Sequence, residues 1–215
     1  MTVAVIGHGR SPEGKRWGNR INTCSTVIRM WDWNWQVPMH EDFGLKYNYG
    51  LFVLTPKQFG AFTRQNMHTP DEGWLAYFGK PTSAELPPKT IKVDAGPWVT
   101  LGLELGGAGL GGTLTLTRGA VAALWAICNM ALSRRVVLVG FDNVKKGVNQ
   151  SIEDSFHPDY WKQFNSKFEN APEKYYPIGS AKTATHDMSV ELPLLRQVAS
   201  IYGVTLEFAE DVWSG

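Results

Sequence analysis

At 215 residues, with 43% hydrophobic and 19% charged residues, the chain is long enough to bury a substantial core and too apolar to be disordered. Lysine and arginine number 21 against 20 aspartates and glutamates, a net charge of +1, which excludes a global pull toward nucleic acid or anionic membrane and leaves only local basic patches open. The two cysteines, Cys24 and Cys128, can form at most one bridge and read as free thiols of a reducing compartment. No apolar run reaches the length of a membrane span, and the N-terminus opens on a strand without the basic-then-apolar pattern of a signal peptide. These features predict a soluble, cytoplasmic protein with no membrane contact and a single domain over residues 1–215.

Residues 2–7 are apolar and predict a buried parallel strand, after which Gly7, Gly9 and Gly14 break the chain. A strand followed by a glycine turn lets backbone approach a phosphate and offers it N–H donors. Residues 12–22 predict a loop or a short helix start, and residues 26–30 a second strand. Residues 31–38 alternate aromatic with polar side chains, but Pro38 favours an ordered loop over a strand. Residues 49–54 predict a third strand. Thr55-Pro56 and Thr69-Pro70-Asp71-Glu72 are both helix-start signals, predicting helices over 57–65 and from 69 to 78. Three prolines make residues 80–89 a connector, and residues 91–93 predict a strand. Residues 102–112 hold six glycines and read as a mobile loop, or as a phosphate cradle or lid. They lack the Gly-Lys-Ser/Thr ending of a P-loop. Residues 117–133 form the strongest helix signal, with Thr117 as cap, and residues 135–141 a strand buried on both faces. Residues 142–185 are long, polar and aromatic-rich, with a helix around 158–168. A helix over 189–201 and a strand over 203–208 close the chain. Strands alternating with helices predict an α/β fold, a Rossmann-like, mainly parallel sheet flanked by helices.

Three separated stretches resemble the sialyl motifs of the sialyltransferases, glycosyltransferase family 29. Val5-Ile6-Gly7, Gly18, Ile21-Asn22 and Val27-Ile28-Arg29-Met30 fall in the register of the long motif without a gap, and Asp42-Phe43-Gly44-Leu45-Lys46 is similar to the segment that follows it. Thr117-Arg118-Gly119, the helix after it and Val136 to Phe141 match the small motif. His186-Asp187-Met188-Ser189-Val190-Glu191 fits the very small motif, a His and a Glu five residues apart. Several positions differ. His8 and Trp31 stand where the family has asparagines that touch the nucleotide, Asn22 replaces an Asp, Arg118 replaces a Ser or Thr, and Lys174-Tyr175-Tyr176 lacks the family's leading His. The family's disulfide cysteine has no counterpart here, and a member without the family's membrane anchor and stem is expected. The resemblance implies a divergent, minimal member of a microbial or phage type, with a GT-A-like sialyltransferase variant of the fold. It also implies transfer of a sugar, sialic acid or similar, from a nucleotide-sugar co-substrate, CMP-sugar first, to a glycan or small-molecule acceptor. No other cofactor is implied.

Inverting transfer needs a base for the acceptor hydroxyl, stabilisation of the leaving phosphate and alignment of both substrates. His186 is the candidate base, because imidazole titrates near neutrality and this one precedes a helix; the resemblance assigns it the same role. Glu191 either orients His186 or caps the helix N-terminus. The leaving phosphate has candidates in the backbone of Gly7 to Gly9, in the helix start at Thr117 and Gly119, and in Arg118. Lys174, Tyr175 and Tyr176 can close over it from the other side, and His8 can meet the ribose or base. By resemblance Arg29 and Trp31 lie on the nucleotide side. No Asp-x-Asp pair or metal-ligand spacing occurs, so a metal-independent reaction is expected.

Three other readings stay open at this level. Gly7-x-Gly9 after a strand, with Asp32 downstream, is also the opening of a dinucleotide oxidoreductase, although Gly14 misplaces the third glycine. A phage glycosyltransferase acting on modified DNA bases would use the clustered tryptophans with Arg16, Arg20 and Arg29, making DNA the acceptor. A non-catalytic nucleotide-binding protein would not need His186.

Overall fold

The apolar run at the N-terminus forms a strand because its residues are covered on both faces. The computed structural model describes residues 1–30, 39–53, 69–77, 86, 88–130, 132, 134–148, 180–183 and 185–213. In it, Val3, Ala4, Val5 and Ile6 of β1 (Thr2–Ile6) have no exposed surface. β1 pairs with β2 (Thr26–Met30) on one side and β6 (Arg135–Val139) on the other. Beyond β2 lie β3 (Tyr49–Val53), β4 (Gly73–Tyr77) and β5 (Thr90–Val93); beyond β6 lies β7 (Thr205–Phe208). All six pairings are parallel, giving the order β5-β4-β3-β2-β1-β6-β7. The α/β, Rossmann-like expectation is met.

Seven helices accompany the sheet among the described residues: α1 (Gly18–Thr23), α2 (Met39–Phe43), α3 (Gly96–Glu104), α4 (Arg118–Asn129), α5 (Asp142–Lys146), α6 (Met188–Tyr202) and α7 (Ala209–Val212). α4 is buried at every position from Ala120 to Ile127, because it lies across β1 to β4 and β6 and is covered in turn by α6. A helix apolar all round needs both contacts, and its alanines let them come close. The amphipathic face of α6 supplies Leu194, Leu195 and Val198 to this core.

Four elements depart from expectation. The Thr-Pro-Asp-Glu start signal at 69–72 leads into β4, not a helix. The Asp71, Glu72 and Gly73 N–H groups donate to Tyr47 and Asn48 carbonyls at the entry to β3, and all five β4 residues are buried between two strands. Tertiary burial overrides the local cap signal there. α3 was hidden in a glycine-bearing stretch, although Pro97 in its first turn marks it. The short helices α5 and α7 gave no periodic signal. The expected loop at 31–38 and the expected helices over 57–65 and 158–168 lie outside the described residues. Cys24 and Cys128 are both free thiols, and among the described residues no helix is long and apolar enough to cross a membrane.

The chain runs outward from β1 through β2 to β5 and then returns to the other side of β1 as β6. Strand order therefore reverses between β1 and β6, and open parallel sheets hold ligands in the crevice outside the strand ends at such a switch point.

Candidate functional site

Three segments meet at the C-terminal edge of β1 and β6: the Gly7 to Gly9 turn, the first turn of α4 and the loop that leads into α6. Phe141, just past β6, joins two of them. A Cβ on Gly7 would come within 2.5 Å of Gly140 O and 3.1 Å of the Phe141 ring, and one on Gly119 within 3.0 Å of that ring, so both glycines lie close against the end of β6. The expectation that Gly7 and Gly9 offer free donors to a phosphate is corrected here. The Gly7 N–H donates to Val139 O and the Gly9 N–H to Gly140 O, each at 2.8 Å, zipping the turn to the end of β6. Asp142 holds the same turn by accepting from Ser11 N–H at 3.0 Å. His8 is half-buried on this turn.

His186 is built in more tightly. Its N–H donates to Thr183 Oγ1 at 2.9 Å, and its carbonyl accepts from Thr183 N–H at 2.9 Å. Its Nδ1–H donates to the Thr115 carbonyl at 2.8 Å. That bond leaves Nε2 as the lone-pair nitrogen, the tautomer a base requires. Burial lowers the pKa of His186 below its ordinary value; the Thr115 carbonyl opposes this, and the charge of Arg118 adds to the lowering. Arg118, the first residue of α4, is thus within electrostatic reach of the imidazole.

The residues around the His are held by Asp187, which has 1% of its surface exposed and caps α6. Asp187 accepts from Ser189 N–H and Oγ, from Ala108 N–H at 3.1 Å and pairs with Lys182 Nζ at 3.3 Å. Those bonds hold its carboxyl below the usual range against the opposing effect of burial. The glycine-rich stretch is accordingly tied down: Ala108 reaches Asp187, Leu110 N–H donates to Thr183 O, and Gly109 N–H donates to Thr113 O.

Glu191 bonds Thr117 of the α4 start, not His186 or the N-terminus of its own helix. It is fully buried, and its two oxygens accept from Thr117 N–H at 2.7 Å and Thr117 Oγ1–H at 2.8 Å. The Thr117 side chain also caps α4 through Ala120 N–H, as expected of it. Burial pushes the Glu191 carboxyl up to about 7.

Arg29 lies in the interior, bonded to backbone carbonyls. It has no exposed surface and donates to Lys46 O at 2.9 Å and Phe43 O at 2.7 Å, while burial lowers it to about 9, so it stays charged at neutral pH. Trp31, Lys174, Tyr175 and Tyr176 lie outside the described residues. Thr115, Thr183, Asp142 and the anchoring role of Asp187 escaped the sequence reading, because their partners are 71, 3, 131 and 79 residues away and only one of these is local. Among the described residues no group of three or more His, Cys, Asp or Glu is placed to hold a metal ion.

No protein-family model matches the chain, and no curated protein matches its sequence. Solved structures do. A mammalian sialyltransferase determined in complex with Gal-beta-1-3GalNAc-ortho-nitrophenol is 14% identical, with a TM-score of 0.54, over 95% of this chain and 68% of that one. A second mammalian sialyltransferase structure is 15% identical, with a TM-score of 0.53 and the same coverage. At such identity the likeness shows a shared fold.

Proposed function

We propose that the protein is an inverting glycosyltransferase that moves a sugar from a nucleotide-sugar donor, CMP-linked first, to an acceptor hydroxyl without a metal ion. The observation that carries this is the His186 ring, pinned through Nδ1 to the Thr115 carbonyl beside Arg118 at the start of α4, on a sheet whose fold is that of sialyltransferases. In the reaction, His186 Nε2 takes the proton of the acceptor hydroxyl as its oxygen bonds the anomeric carbon. The bond from that carbon to the donor phosphate oxygen breaks, and the nucleotide leaves with the electron pair. Arg118 and the first turn of α4 stabilise the departing charge. The depressed pKa of His186 suits a base, because the ring is neutral at physiological pH. The rate should rise with pH through a value below 6.5 and then level off.

The test combines a binding panel with one variant. CMP-, UDP- and GDP-sugars are screened for protection against thermal unfolding, since a ligand that binds only the folded state raises its stability. A shift with CMP compounds alone is expected. His186→Ala should bind the same donor and lose transfer by roughly 10²- to 10⁴-fold. Protection by UDP-sugars with none from CMP compounds would refute the donor, and full turnover by His186→Ala would refute the base.

A further inference from the structure

Glu191 is a fully buried carboxyl with no cationic partner among the described residues. It joins the two elements that bring the chemistry together. α6 carries it one turn in from the His186 loop, and Thr117, the residue it grips, is the cap of α4 immediately before Arg118. We propose that Glu191 is a positioning residue that keeps the base loop and the first turn of α4 in register, and that anion binding at that turn drives a proton onto its carboxyl. This rests on the reading that the first turn of α4 faces the donor phosphate.

The geometry accepts either protonation state. As a carboxylate, Glu191 receives the Thr117 N–H and O–H, while the Thr117 oxygen accepts from Ala120 N–H. As an acid, Glu191 can donate its own O–H to the second lone pair of the Thr117 oxygen and keep the N–H contact. The joint therefore survives while its charge changes. The positive end of α4 favours the carboxylate when the site is empty. A phosphate at the same helix end adds negative charge across a low-dielectric gap and disfavours it. Burial already brings the carboxyl to about 7, with Thr117 pulling down and Asp187 pushing up.

Other charges nearby are committed or distant. Lys182 is paired with Asp187, Lys145 of α5 with Glu210 and Asp211, and Glu207 of β7 with Arg135. Asp142 of α5 accepts from Ser11, and Lys146 of α5 and Glu104 of α3 are exposed. Residues 106–112 carry no ionisable side chain. The charge of Arg118 acts on His186, whose imidazole titrates below its ordinary value, under the range above pH 7 in which Glu191 is tested.

Calorimetry of CMP binding at pH 7, in buffers of differing ionisation enthalpy, counts protons taken up. Wild type should take up as much as roughly half a proton more per CMP than Glu191→Gln, because a group near its pKa is half ionised. The difference removes the proton belonging to the nucleotide's own phosphate, and the amide of glutamine keeps both contacts to Thr117. A second measurement needs no variant. Affinity for a CMP-sugar, whose phosphodiester does not titrate near neutrality, should weaken toward a limit of about tenfold per pH unit as pH rises above 7. Equal proton counts in the two proteins, or a flat affinity profile from about pH 7 to 8.5, would overturn the inference and leave the CMP-dependent reading standing. No heat and no affinity with either CMP compound would overturn both.

Discussion

Two regions of this molecule carry residues that resemble one family's motifs, and they use them in opposite ways. From β1 to β3 the motif residues turn inward. Arg29 donates to Phe43 and Lys46 carbonyls, Asn22 Oδ1 accepts from Leu45 and Lys46 N–H, Asp42 accepts from Gly14 and Arg16 N–H, and Lys46 Nζ donates to Cys24 and Ser25 carbonyls. Every one of those bonds lies within residues 14–46, and together they tie α1, α2 and the segment before β3 to one another and to β2. Around α4 and α6 the motif residues instead bond across long sequence separations. His186 Nδ1–H donates to the Thr115 carbonyl, which leaves Nε2 as the lone-pair nitrogen, Glu191 accepts from Thr117, and the charge of Arg118 acts on the ring. Residues of one set of motifs can therefore lock neighbouring segments together in one place and join distant ones in another, and sequence separation with bond direction tells the two apart.

The comparison predicts a crossed pattern of effects. His186→Ala, which costs roughly 10²- to 10⁴-fold in transfer, should change urea stability by no more than about 1 kcal/mol, since its packing is partial and the bond its ring makes to the Thr115 carbonyl is one between neutral groups. Arg29→Met should do the reverse. It leaves the buried Phe43 carbonyl and the half-buried Lys46 carbonyl without their donor, at about 2–4 kcal/mol of stability, with turnover per folded molecule retained. Denaturation midpoints and active-site-normalised rates on both variants decide this; a rate collapse in folded Arg29→Met would return Arg29 to the site.

Glu191 gives a smaller, pH-dependent effect. Its carboxyl rises from 4.5 to about 7 on folding, so between these values the native state holds a proton that the unfolded state has lost. Stability should fall as pH climbs through that window, by at most about 1.4 kcal/mol per pH unit, and Glu191→Gln should flatten this limb. Chemical denaturation at several pH values reads the slope, and an unchanged slope in the variant would move the titration to another group. The smallest effect expected is from Asn22→Ala. Its contacts are solvent-exposed, so losing the two N–H acceptances should cost about 1 kcal/mol and leave transfer unaltered. A loss of transfer beyond that would place the β1–β3 clamp nearer the chemistry than its bonds indicate.

Apolar runs made six of the seven strands of the sheet legible. Residues 2–6, 26–30, 49–53 and 135–139 are short apolar runs separated by turn chemistry, and such runs form strands wherever both faces are covered. The cap at Thr117, the helix after it and the helix before β7 were legible for the same reason, since spacing along the chain reports a local period. Local signals failed at β4, where Thr-Pro-Asp-Glu cannot announce that two strands will capture its N–H groups. They failed again at Arg29 and Glu191, whose roles depend on partners 14 to 17 and 74 residues away. Which side chains share a crevice, which N–H groups are already taken and which carboxyl is stripped of water are properties of packing. Sequence proposed His186 as the base; tertiary structure supplied the Thr115 carbonyl that sets its tautomer, the burial that lowers its pKa and the Glu191–Thr117 joint that ties its helix to α4.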